Sequence, residues 1–225
     1  MTPRFRALRP IPTLAALALV ALLPLAAMAA KAPPPPQAGV DYVEIEGGQP
    51  YAPVRGKIEV VEAFGYTCPH CAHAQPAVDA WKAKQGKDVN FVPVAAPFGG
   101  YWNPYAQAYY TAQSMGLVAK THNAVFNAVH EERSLPINNA SPEEIAGFYA
   151  RYGADAAKFA ATMRSPAIQA QMDRARDFLI RSGVDATPMF VVAGKYRVTG
   201  HSLEDILRTT DALVARERAQ AKGRR

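Results

Sequence analysis

Cysteine is scarce: 225 residues contain only Cys68 and Cys71. A chain this long buries a self-sufficient core and needs no disulfide to hold it together. Structural zinc takes about four ligands, so His70 and His73 would have to complete the site from the same short stretch, which is poor geometry. Covalent haem attachment is excluded because Ala72, not histidine, follows the second cysteine. No internal repeat is present. Acidic residues are missing from residues 1–30, whose Arg4, Arg6 and Arg9 carry half of the formal net charge of +6. The remaining bases are dispersed, so nucleic acid is not expected as a partner. Only the Arg216, Arg218, Lys222, Arg224, Arg225 tail gathers them, and it reads as a frayed, solvated helix end.

What is present begins with a basic start, an apolar run from Leu14 to Leu25 and the small-x-small Ala27-Met28-Ala29. Residues 1–30 read as a cleavable signal peptide; Pro24 interrupts the run and argues against an uncleaved anchor. No cysteine lies near the cleavage site, so a lipidated N-terminus is excluded. Residues 31–40 read as a Pro-rich tether, stiff and extended from Lys31 to Gln37, where Pro33 to Pro36 stand in succession. The chain is expected to be exported to an oxidising compartment.

Folding is expected from Asp41. Residues 41–46 read as an edge strand and 57–64 as a stronger one, with Glu62 on the same apolar face as Val60. Residues 72–85 read as a helix that Pro76 should kink, and 88–94 as a second strand, making a parallel strand–helix–strand unit. From Tyr105 to Arg181 the periodicity is helical throughout. Ser141-Pro142-Glu143-Glu144 forms a capping box, and Ser165-Pro166 opens another helix. Strand character returns at 189–192 and 195–198 around Ala193-Gly194. Ser202 then caps a last amphipathic helix.

The two cysteines lie at the start of the first long helix. There, unpaired N–H groups and the positive end of the helix dipole stabilise an anion on Cys68. Cys71, one turn further in, is expected to be the less accessible, resolving sulfur. Pro69 suits the first helical turn, and His70 is expected to add a donor or a positive charge beside the Cys68 sulfur. A redox-active dithiol is the leading reading, with a structural disulfide or a metal site as the rivals. Glu62, on an apolar face, is expected to have a raised pKa suited to relaying a proton to Cys71.

The Cys68-Pro69-His70-Cys71 tetrad, the preceding strand with Glu62, the helical block and Ala186-Thr187-Pro188 before a strand together resemble the DsbA family of thioredoxin-fold oxidases. The resemblance implies an α/β thioredoxin-like fold over 41–98 and 182–225, with an inserted helical domain over 99–181. It implies that Pro188 is cis against the active site and that Thr187 offers its backbone to an extended substrate. It also implies a periplasmic, monomeric enzyme without a cofactor beyond its own Cys68–Cys71 disulfide. Its partners would be unfolded exported proteins with free thiols and a DsbB-type, quinone-linked membrane oxidase. One departure stands out: related proteins often set a lysine on the next strand opposite the buried acid, and residues 90–96 contain none.

Two other functions compete: a disulfide isomerase or reductase, for which no dimerisation segment is recognisable, and a holdase-like binding module with an incidental dithiol. Phe98, Tyr101, Trp102, Tyr105, Tyr109 and Tyr110 are expected to pack the helical block. His122, His130 and His201 are expected to be ordinary surface histidines.

Overall fold

A computed structural model describes residues 34–223; the stretch assigned to the signal peptide, the start of the tether, Arg224 and Arg225 lie outside them. The strands are β1 (Tyr42–Glu44), β2 (Ile58–Phe64), β3 (Val89–Ala95), β4 (Met189–Val192) and β5 (Tyr196–Val198). They form one sheet in the order β1-β5-β4-β2-β3. β2 pairs with β3 in parallel and with β4 antiparallel, so the sheet is mixed. Helix α1 (Pro69–Ala83) makes the crossover between β2 and β3.

Between β3 and β4 lie α2 (Trp102–Ser114), α3 (Val118–His130), α4 (Pro142–Ala150), α5 (Ala156–Met163) and α6 (Pro166–Arg181), and α7 (Leu203–Gly223) closes the described chain. Local chemistry explains several starts. Ser141 and Glu144 form the reciprocal capping box on α4, while Asp155 and Ser165 accept from the first-turn N–H groups of α5 and α6. Pro76 lies inside α1, which continues through it to Ala83.

The alternation along β2 divides the core. Val61 and Ala63 pack with the helices between β3 and β4, whereas Val60 packs with Ala74, Val78 and Trp81 of α1 and with Leu213 and Val214 of α7. Each of these buried valines and leucines contributes about 1.5–3 kcal/mol. Central β2 is thus the best-covered strand, and the redox stretch grows from its end.

Beyond the stretch read as extended, the end of the tether is fastened: Gly39 N–H donates to Tyr42 O and Asp41 N–H to Gln37 O, both at 2.8 Å, and Thr199 Oγ1 donates to Val40 O. The basic tail is no frayed end as far as residue 218. Arg218 makes a two-pronged pair with Asp88 at 2.6 and 3.1 Å, and Arg216 donates to the Tyr42 hydroxyl at 2.7 Å. Both contacts tie α7 to the sheet side of the molecule.

Candidate active site

β2 ends at Phe64, and Gly65-Tyr66-Thr67 carries the chain to Cys68. Gly65 is required by packing, since a Cβ there would lie 2.0 Å from a ring carbon of Trp102. Cys68 is the N-cap of α1, in extended conformation, and its sulfur accepts from the Cys71 backbone N–H at 3.4 Å. It thus stands where a capping serine or aspartate oxygen would. The first turn of α1 contains no acidic residue to compete for that position.

Both cysteines are free thiols in this structure. They are chemically unequal. The Cys71 thiol donating to the Cys68 sulfur, aided by the neighbouring Thr187 and the backbone N–H groups of Cys71 and His70, outweighs partial burial and lowers the Cys68 pKa to about 5. Burial and the neighbouring Cys68 sulfur push Cys71 far upward, so it stays a thiol. One sulfur is a ready nucleophile and good leaving group at neutral pH; the other holds its proton.

Thr187 and Pro188 arrive from the far end of the chain, and their peptide bond is cis. In its thiol form Cys68 donates to the Thr187 carbonyl oxygen at 3.4 Å. Pro188 lines a groove of about 250 Å³ with His70, His73, His201 and the apolar Leu203 and Ile206. The His70 side chain is exposed there; what acts on the Cys68 sulfur from residue 70 is its backbone N–H. Among the described residues no group of three or more histidine, cysteine, aspartate or glutamate side chains converges to hold a metal ion.

Glu62 is 1% exposed. Burial first, and Asp79 second, raise its pKa to about 8 against the opposing pull of Lys82. No lysine faces it from β3, where its register partner is Pro93. Its face of the sheet is the one that α1 covers.

A turn-holding network escaped the sequence reading and corrects the expectation for two histidines. His122 and His130 are half-buried and engaged rather than free at the surface: His122 Nδ1 pairs with the Tyr66 hydroxyl at 2.9 Å and His130 Nε2 with the Tyr66 carbonyl oxygen at 2.8 Å. Burial lowers the His122 pKa to about 4. The neutral ring therefore accepts from the Tyr66 O–H and keeps its proton on Nε2. The signal was available, because His122, Phe126 and His130 recur at four-residue intervals on one face of α3. His201 is exposed as expected. The aromatic group divides: Tyr105, Tyr109 and Tyr110 are buried, while Phe98 and Tyr101 are about two-fifths exposed beside Trp102. Glu59, also missed, is buried with its carboxylate accepting from the backbone N–H groups of Tyr51 and Ala52 at 2.7 and 2.5 Å.

Comparison with known proteins gives this arrangement its place. The chain is 43% identical over 188 residues to the thiol:disulfide interchange protein DsbA of Pseudomonas aeruginosa, covering 82% of this chain and 87% of that one. The chain belongs to the DsbA family. The family model for the DSBA-like thioredoxin domain matches residues 102–210, which include Thr187 and Pro188. The DsbA of Azotobacter vinelandii is 39% identical over 184 residues, 80% of this chain and 84% of that one. The crystal structure of Xylella fastidiosa oxidoreductase DsbA superposes with a TM-score of 0.80 at 51% identity, over 82% of this chain and 98% of that one. The Pseudomonas aeruginosa DsbA crystal structure gives 0.75 at 42% identity, over 83% and 96%. As a DsbA-family protein the chain is a thioredoxin-like thiol:disulfide oxidoreductase.

Proposed function

We propose that this DsbA-family protein donates a Cys68–Cys71 disulfide to newly exported proteins in the periplasm. A substrate thiolate attacks the Cys68 sulfur, the Cys68–Cys71 bond breaks, and a mixed disulfide between substrate and Cys68 forms. Cys71 leaves as an anion and takes a proton from Glu62. A second substrate thiolate then attacks the substrate sulfur, releasing Cys68 as a stabilised thiolate and leaving the substrate oxidised by two electrons. The observation that carries this reading is the inequality of the two sulfurs: Cys68 held near 5 at the start of α1 and Cys71 pushed far up beneath it.

Pro69 fixes the first turn of α1, His70 lends its N–H to Cys68, and Thr187 and Pro188 hold the substrate backbone beside the sulfur. No cofactor beyond the disulfide is needed for this exchange. The reduced protein is reoxidised by a quinone-linked membrane oxidase of the DsbB type. Residues 41–98 and 182–225 act as the thioredoxin-like part, residues 99–181 as an insertion, and a cleaved N-terminal signal exports a monomer.

The test is oxidative refolding of a reduced, unfolded protein with several thiols. Wild type accelerates disulfide formation; Cys71→Ser, its Cys68 first activated as a disulfide with thionitrobenzoate, releases that thiol to a substrate with a single cysteine and holds it as a lasting mixed disulfide; Cys68→Ser does neither. Undiminished activity of Cys68→Ser would sink the proposal and favour a holdase.

A further inference from the structure

Lysine and arginine are spread along the sequence, but the fold gathers part of them. Six of the 25 lie outside the described residues, which therefore hold 19 bases against 19 acids and carry no net charge. β2 and β3 both run towards the catalytic end, so their starts, the end of α1, the β4–β5 turn and the last turns of α7 lie together at the opposite pole. Contacts join these pieces. Ile58 N–H donates to Asp88 O at 2.7 Å, which sets Lys57 beside Lys87 and Asp88. Arg218 pairs with Asp88, and Lys57, Lys195 and Ala221 line one cleft of about 480 Å³.

The acids of this pole are already engaged: Asp88 with Arg218, Glu217 with Lys195 at 2.6 Å, and Glu59 with two backbone N–H groups. Arg55, Lys57, Lys84, Lys87 and Lys222 are exposed and make no ion pair among the described residues. The exposed Glu44 and Glu46 stand at the end of β1, on the far edge of the sheet from β3. Unpaired cations at one end of a balanced body make that end strongly positive. The tip of the pole is apolar. Lys57 N–H donates to Val54 O at 3.0 Å, closing a turn that Gly56 permits at φ 77° and that leaves Val54 45% exposed beside Arg55. An apolar tip ringed by bases matches a bilayer interface, where the bases meet phosphates and the tip meets the acyl boundary. Single-stranded nucleic acid would call for stacking aromatics, and the exposed Phe98 and Tyr101 follow β3, at the catalytic end.

We propose that this basic pole rests on the anionic phospholipid surface of the membrane that the protein crosses on export, with Cys68 at the end turned away from the bilayer, towards chains that emerge beside it. The inference rests on the export proposed above and is independent of the sulfur chemistry. Each base held near an anionic surface is worth about fivefold in partitioning, so five exposed cations suffice for reversible attachment without an anchor. Salt governs such attachment, because the screening length falls from about 10 Å at 0.1 M to about 3 Å at 1 M.

The test is cosedimentation of the exported chain with vesicles of phosphatidylglycerol in phosphatidylcholine. The chain should bind at about 0.1 M salt, come off at about 1 M, and ignore vesicles of phosphatidylcholine alone. Lys57→Gln, Lys84→Gln and Lys87→Gln together should weaken partitioning at least about tenfold. The same loss of charge elsewhere, by Lys120→Gln, Arg133→Gln and Lys158→Gln, should change it less than about threefold. All six side chains are exposed, so both triple variants should unfold in urea as the wild type does. Reduced protein on the vesicles should react with iodoacetamide at Cys68 as fast as free protein. Binding to phosphatidylcholine alone, binding that survives salt, a smaller loss from the first triple, a larger change from the second, or shielding of Cys68 would each overturn the proposal. Such a failure differs from failure of the exchange chemistry, which Cys68→Ser reports independently.

Discussion

Proton counting makes the inequality of the sulfurs measurable. The oxidised pair binds no proton on sulfur, while the reduced pair binds one when Cys68 is a thiolate and two when it is a thiol. With the Cys68 pKa at about 5, uptake on reduction falls from two protons to one as the pH rises through that value. Glutathione exchanges two protons per disulfide until its own thiol ionises near about 8.5. The equilibrium constant for reduction of the protein by glutathione should therefore be flat below about pH 5 and rise about tenfold per pH unit above it. Between about pH 4 and pH 7 the gain is about a hundredfold, or about 59 mV of added oxidising power for a two-electron couple. The sign follows from a depressed pKa. Stabilisation of the reduced form is fully developed above the ordinary thiol range and disappears as the pH falls through about 5. Staying below about pH 7 also keeps Glu62 in its neutral form. The assay is equilibration in glutathione redox buffers with acid quenching, alkylation of free thiols and separation of the two forms. A change smaller than about fivefold over that range, or a break above about pH 7, would refute hydrogen bonding to the Cys68 sulfur as the origin of the thiolate's stability.

Two further outcomes follow from packing and hydrogen bonding. Gly65→Ala forces a methyl into the Trp102 ring and should cost about 1–3 kcal/mol in urea unfolding with a changed tryptophan emission; a silent substitution would mean that Trp102 does not pack there. Glu59→Gln places an NH₂ group against two backbone donors, at Tyr51 and Ala52, and should cost about 1–3 kcal/mol while leaving the pH midpoint of the glutathione equilibrium in place. A loss below about 0.5 kcal/mol would show the loop held by other contacts.

Local signals made much of this legible. Alternation found β2 and placed Glu62 on an apolar face; capping residues found α4, α6 and α7; and the cysteine tetrad drew attention to the start of α1. The cis Thr187–Pro188 bond followed from resemblance alone, since a bare Thr-Pro before a strand reads as an ordinary strand entry. What stayed hidden was long-range. Glu59 went unmarked because its two partners are backbone N–H groups of a loop, which leave no trace in side-chain type. His122 and His130 read as surface residues because their partner, Tyr66, lies more than fifty positions earlier. The absence of a lysine on β3 was visible, but the opposing pull of Lys82 of α1 on Glu62 needed the three-dimensional placement.

Tyr66 is held at both ends of its residue, its hydroxyl by His122 and its carbonyl by His130. In the proposed mixed disulfide a long, writhing polypeptide hangs from Cys68, and every tug on that leash enters the protein two residues downstream of this double anchorage. Helix α3 then serves as a guy-rope: it takes up the load laterally, and the sulfur stays seated on α1 while the tethered chain searches for its second thiol.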